Sequence, residues 1–271
     1  MDNGWQTSAG AWIADMGEDG DFGRRHVLDG IMLSRALMRS PKNALDVGCG
    51  EGRFCRMLKR HSVQITGIDP TPALLTAASK RDKDGTYIEA AAERLPFRDG
   101  TFDLAVSYLS LIDIPNVEAA IPEIARVLKP NGALLIANLT SFVTACADTG
   151  WVKNSTGQRL HYPVDHYLDE RAMWIAYRGI RIVNHHRPMS TYFRALLGAG
   201  LRLVYFDEPE PSADAPIQKA ANYRRAPWFL VMEWVKAARP QTAANDDPDA
   251  CTSRSPTPPA LAARRSYADA W

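Results

Sequence analysis

The residues best placed to do chemistry are Leu45-Asp46-Val47-Gly48-Cys49-Gly50-Glu51-Gly52, a short apolar run interrupted by Asp46 and followed by three glycines at alternate positions, with Cys49 and Glu51 between them. Glycines after a strand let the backbone turn tightly and approach a ligand with no Cβ in the way. A dinucleotide loop needs Gly-x-Gly-x-x-Gly, and here its third glycine position is Arg53. No Gly-Lys-Ser or Gly-Lys-Thr follows either, so a phosphate loop and a nicotinamide reductase are both disfavoured. Asp69 stands about twenty residues further on, where a carboxylate can accept hydrogen bonds from both hydroxyls of a ribose. The same residue can cap the helix that follows Pro70-Thr71-Pro72, and the two roles are compatible.

Taken in order, these residues resemble the first motifs of the class I S-adenosylmethionine-dependent methyltransferases. Asp46, Gly48, Gly50 and Gly52 match the family's acidic residue and Gly-x-Gly-x-Gly position by position. Ala92, Glu93, Leu95, Pro96 and Phe97, then Phe102 and Asp103, match the segment that leads into the fourth strand. Lys129-Pro130-Asn131-Gly132 is similar to the turn before the fifth. The resemblance covers about residues 44–138 and extends more loosely to 235, closest to the small-molecule branch that includes the ubiquinone and menaquinone biosynthesis enzymes. It implies S-adenosylmethionine as cofactor, held by Asp46, Gly48, Cys49, Gly50, Asp69, Pro70, Ala92, Glu93, Ser107 and Leu109. Ala91 departs from the pattern, since relatives often carry an aspartate there, which implies adenine contacts from backbone near Ala92 and from apolar side chains.

Methyl transfer from a sulfonium is an in-line displacement that alignment alone can accelerate, so no catalytic side chain is obligatory. A phenol or alcohol acceptor needs a base near neutral pH, most often histidine. His186 and His185, in His-His-Arg-Pro-Met-Ser-Thr-Tyr, are the first candidates, and Asp113, shortly after the fourth strand, is the next. His161 and His166 are further residues that could touch substrate. Asp113, Asp165 and Asp169 form no recognisable ligand spacing, so no metal is expected. Trp151, Tyr162, Tyr167, Trp174 and Tyr177 suit either a planar apolar acceptor or the core of a small lobe. A non-methylating enzyme that binds the same cofactor and a catalytically silent partner subunit are the alternative readings.

Strands and helices must alternate to position these groups. Ala44–Val47, Gln64–Ile68, Tyr87–Ala90, Leu104–Ser107 and Ala133–Ala137 read as strands. Phe54–Arg60, Ala73–Lys80 and the 117–128 segment read as helices between them, the last with Pro122 at an awkward interior position unless the regular helix begins at Ile121. The expected fold is therefore α/β, a Rossmann-like doubly wound sheet. The resemblance adds seven strands, with the last, Trp228–Val235, antiparallel. Residues 1–40 read as an N-terminal helical cap containing Ala11–Met16 and Arg25–Leu37. Residues 41–240 form the main domain, with 143–187 as a lid inserted between strands five and six. Two extended runs, Asp165–Tyr177 and Ile180–His186, lie within that insertion, before a helix at Thr191–Gly200 and a strand at Leu201–Phe206. From 241 to 271 the Pro-rich, small polar text reads as a disordered tail.

Composition narrows the partners. Among 271 residues, 32 basic side chains face 31 acidic ones, so no excess of cations marks a nucleic-acid binder. The four cysteines form no Cys-x-x-Cys, and no signal-peptide pattern or membrane-span-length apolar run is present. A reduced, cytoplasmic protein acting on a small and possibly aromatic molecule is the expectation, with the oligomeric state open.

Overall fold

The computed structural model describes residues 3–146 and 150–238. The tail expected from 241 onwards lies outside the described residues. Helix α1 (Trp5–Met16) leads through a glycine-rich turn into a π-helical turn, Arg24–Leu28, that continues as α2 (Asp29–Met38). Next come β1 (Asn43–Val47), α3 (Arg53–Lys59), β2 (Gln64–Asp69), α4 (Pro72–Arg81) and β3 (Thr86–Glu89). They are followed by β4 (Phe102–Tyr108), α5 (Val117–Val127) and β5 (Leu128–Leu139).

After β5 the chain leaves the sheet. It forms α6 (Ser141–Ala145), the hairpin β6 (Val152–Lys153) and β7 (Arg159–His161), and the hairpin β8 (Arg171–Tyr177) and β9 (Ile180–His186). It returns as α7 (Met189–Gly198), β10 (Leu201–Asp207), α8 (Ile217–Tyr223) and β11 (Phe229–Lys236).

The seven-stranded sheet has the order β10-β11-β5-β4-β1-β2-β3. All its pairs are parallel except those of β11, which runs antiparallel to both β5 and β10. Central strands of this kind are buried on both faces, which is why β1, β4 and β11 are nearly continuous apolar runs. Alternate residues feed two cores. Leu45 and Val47 pack with α5 and α7 residues such as Ile121, Ile124 and Leu196 on one side, and Ala44 packs with Met32 and Leu58 on the other.

Helix α5 runs Val117–Val127, as expected of the 117–128 segment, and is capped by the Asn116 side chain, which accepts the Ala119 N–H at 3.0 Å. Pro122 is tolerated inside it because it and Glu118, whose carbonyl loses its intrahelical donor, both lie on the exposed face. The first extended run of the insertion begins at Arg171, not Asp165. It turns through Arg178 and Gly179, both at positive φ, into β9, the backbone of a tight two-residue hairpin. Helix α8 carried no clear sequence signal.

Asn116→Ala removes the α5 cap and should cost about 1 kcal/mol, or roughly 2–4 °C in Tm, in a thermal melt. An unchanged Tm would show that the start of α5 is held by packing alone.

Candidate functional site

The glycine loop sits where β1, β2 and β4 end side by side. Gly48, at φ 73°, has no room for a side chain, since a Cβ there would lie 2.5 Å from that of Ser110. The Gly48 and Cys49 N–H groups both donate to the Ile68 carbonyl, at 2.8 and 2.9 Å, tying the end of β1 to the end of β2. Gly50, at φ 56°, has open space where its Cβ would stand. That open space belongs to a cavity of about 430 Å³.

The sheet side of this cavity carries Asp46, Gly48, Cys49, Gly50, Asp69 and Pro70. The 90–93 segment, with Ala92 and Glu93, forms a second wall, and Leu109, Ser110, Asp113 and Ile114 a third. Trp5, Trp12, Met16 and Arg24 close it from α1 and the π-helical turn. Leu109 lines it at φ 60°, an uncommon conformation for leucine.

Most of the residues expected at a cofactor site thus meet in one place. Asp69 is buried, and its two oxygens accept N–H groups of Gly50 and Thr71, each at 2.9 Å. It therefore braces the glycine loop and the entry to α4 while still lining the cavity. Burial raises its pKa, and those hydrogen bonds pull it back. Asp46 is more deeply buried, and burial pushes its carboxyl up to about 7 against a Cys55 thiol that donates to Oδ2 at 3.4 Å. Its Oδ1 is buried with no hydrogen-bond partner.

Ser107 is placed differently. It is fully buried and shares a 2.7 Å hydrogen bond with Ser110, which lines the cavity in its stead because the chain turns sharply at Leu109.

Neither histidine chosen as a base reaches the cavity. His186 is fully buried, with Nδ1 2.7 Å from the Thr144 hydroxyl and Nε2 2.9 Å from the Tyr167 carbonyl. A carbonyl only accepts, so Nε2 carries the proton and Nδ1 is left to face Thr144. Burial lowers the pKa of both His186 and His185, and the Arg187 charge adds to the effect at His185. Their segment serves instead as a clasp: the His185 N–H donates to Ile112 O at 2.8 Å, and Arg187 donates to the carbonyls of Ile114 and Pro115 at 2.7 and 2.8 Å.

That clasp holds Asp113, the one candidate base that does line the cavity. Its Oδ1 accepts from the Asn184 amide at 2.6 Å, and burial pushes its pKa up to about 8.

His161 and His166 lie exposed in the insertion, the latter 2.9 Å from Asp169. Of the aromatic residues there, Trp151 packs on Tyr162 and Tyr162 on Trp228 at 5.2 and 5.5 Å, Tyr167 packs on Phe142, Trp174 lies under the Arg181 guanidinium, and none of the five lines the cavity. Asp165 and Asp169 do not approach Asp113 as a ligand set, and no metal-holding cluster occurs among the described residues.

The sequence reading missed Arg24. Its side chain is 13% exposed, its Nη1 donates to Asp21 at 2.8 Å, and its guanidinium lies over the Trp12 ring at 5.0 Å. No hydrogen bond among the described residues engages Nε or Nη2, the edge of the fork that matches a carboxylate. The sequence signals near it are Gly17 and Gly20, whose positive φ values turn the chain between α1 and the segment that carries Arg24. S-adenosylmethionine presents a ribose diol, an ammonium and a carboxylate. Asp69, the orphaned Asp46 Oδ1 and the unengaged edge of Arg24 supply one partner for each, so the residues present fit that group.

Residues 45–136 match the model of a methyltransferase domain. A malonyl-[acyl-carrier protein] O-methyltransferase of Salmonella typhimurium is 28% identical over 176 residues, 65% of this chain and 68% of that protein. A demethylmenaquinone methyltransferase of Thermotoga maritima is 36% identical over 102 residues, 37% of this chain and 44% of its own. Several of the curated relatives are thus matched over only about half their length. An S-adenosylmethionine dependent methyltransferase structure from Mesorhizobium loti superposes with a TM-score of 0.69 at 28% identity, covering 81% of this chain and 100% of that one.

A carboxyl whose pKa is raised by folding favours the fold while protonated. Its contribution is complete below the unfolded value near 4 and is lost as pH rises through the folded value. For Asp46 that window ends near 7. Asp46→Asn should therefore raise the Tm of the ligand-free protein at pH 8 relative to wild type, with the gap shrinking toward pH 5. A gap independent of pH would show that Asp46 does not titrate in this window.

Proposed function

The chain belongs to the class I S-adenosylmethionine-dependent methyltransferases, and we propose that it methylates a hydroxyl oxygen of a small, largely apolar acceptor, with Asp113 as general base. The observation that carries this reading is the position of Asp113: it lines the cavity, held by Asn184, beside the apolar surface of Trp5, Trp12, Met16 and Ile114. Aromatic walls with one convergent polar group suit a flat organic molecule. A hydroxyl is a poor nucleophile until its proton is taken, and a carboxylate with a pKa near the working pH is better matched to that task than an ordinary one. The formal net charge of +1 supports a small molecule over a nucleic acid. No helix among the described residues is long and apolar enough to cross a membrane.

S-adenosylmethionine supplies an electrophilic methyl group on a sulfonium. Asp69 orients the ribose end, Asp46 and Arg24 fix the amino-acid end, and the backbone near Ala92 with Leu74 borders the adenine side. The two relatives named above act, by their names, on a malonyl-carrier-protein and on demethylmenaquinone, which supports an acceptor other than a nucleic acid without specifying it.

Calorimetry with S-adenosylhomocysteine tests the cofactor site first. Wild type should bind, and Asp69→Ala should weaken binding by roughly 1.5–3 kcal/mol, the range for hydrogen bonds to a charged group. No binding by wild type would remove the basis for every role assigned here.

Turnover tests the base. With a hydroxyl acceptor, kcat/KM should rise with pH and level off above about 8, because the ionised form of Asp113 does the work. Asp113→Asn should lower kcat by about 10²–10⁴ while leaving the S-adenosylhomocysteine Kd unchanged. Cofactor binding combined with full activity of that variant would eliminate Asp113 as the base.

A further inference from the structure

Asn184 lies on β9, in the insertion, far from every cofactor motif. Its two neighbours in the strand are both hydrogen-bonded along its outer edge. The Val183 N–H donates to Asn3 O at 2.9 Å and the His185 N–H donates to Ile112 O at 2.8 Å. Between them the Asn184 side chain donates to Asp113 Oδ1 at 2.6 Å. The loop that carries Asp113 is thus gripped by three residues of β9 and its exit: backbone from His185, an amide from Asn184 and a guanidinium from Arg187.

We propose that Asn184 is a positioning residue that holds Asp113 Oδ1 and leaves Oδ2 as the atom that takes the acceptor's proton. This inference rests on the reading of Asp113 as the base. The balance is simple. The acceptor O–H pair stays on oxygen as the proton moves to Oδ2, and the oxygen forms the new O–CH3 bond. The C–S bond breaks with its electrons left on sulfur, and the protonated Asp113 later returns its proton to solvent.

An amide can perform this task without competing for it. Its N–H donates to a carboxylate but cannot accept the acceptor's proton at neutral pH, so it fixes geometry and favours the ionised form. The charged and titratable groups that act on Asp113 are Arg24 from the π-helical turn, Asp69 from the end of β2, Tyr177 from β8 and Tyr192 from α7, and the Trp5 indole lines the same cavity. Of these partners, Asn184 makes the short contact, and its strand is anchored on both sides of it.

The direct readout is the Asp113 carboxyl itself, followed by NMR in ligand-free protein labelled with carboxyl-13C aspartate. Its resonance is assigned by its loss in Asp113→Asn. In Asn184→Ala the titration should move up by about 1 pH unit, because the hydrogen bond that favours the charged form is gone. Asn184→Asp, equal in size but without the donor, should move it up further. In turnover the acid limb of the pH profile should shift by the same amount, with kcat reduced and the S-adenosylhomocysteine Kd unchanged. A carboxyl titration that stays within about 0.2 units of wild type in both variants overturns the proposal. Full activity of Asp113→Asn is a different result, which overturns the base reading on which the proposal depends.

Discussion

The left-handed turn at Gly48 is the constraint on which the cavity depends. It brings the ends of β1, β2 and β4 into contact, because the space a side chain would need is taken by Ser110. Ser110 in turn donates to the Val47 carbonyl at 2.5 Å, so the strand end, the glycine and the segment after β4 form one closed unit. Asp69 completes it by accepting the Gly50 N–H. A Cβ at Gly48 would therefore displace two walls of the cavity at once, in a region where the backbone is already strained for an L-residue.

This unit was legible because it is local in sequence and chemically restrictive. Gly48, Gly50, Asp46 and Asp69 all fall within a short stretch, and their residue types have few other uses at strand ends. The alternating strands and helices were legible for a similar reason, since β1, β4 and β11 are buried on both faces and are mostly apolar along their length. Pro122 looked out of place inside α5 because a sequence does not reveal that the carbonyl of Glu118 it orphans faces solvent. Ser107 and Ser110 could not be told apart without the turn at Leu109, where a leucine adopts positive φ.

The acceptor side was far less legible, because its contacts join segments distant in the chain. Ser8 pairs with the backbone of Arg181, Asp15 with Arg178, and Asn3 with Val183. These contacts fix α1 over the cavity by means of the β8–β9 hairpin. The insertion expected as a lid thus braces the covering helix, while α1 itself supplies Trp5, Trp12 and Met16 to the cavity. His185 and His186 attracted attention because histidine is the usual base. Their segment matters through its backbone, Asn184 and Arg187, which no residue-type argument singles out.

Charge links the two sides. Asp46 and Asp113 both have pKa values raised mainly by burial, and the Asp69 charge adds to the rise at each. With Asp46, Asp69 and Asp113 around one cavity, it is unfavourable for all three to ionise while no cation is present, and Arg24, already paired with Asp21, offsets this only in part. A positively charged ligand reverses that preference and lowers all three pKa values together. The carboxyl best suited to accept a proton is then ionised most readily when the cavity holds a cation, and regains its affinity for a proton when that positive charge is lost. Burial thus sets the resting state of Asp113, and the charge of whatever occupies the cavity sets how far it departs from that state.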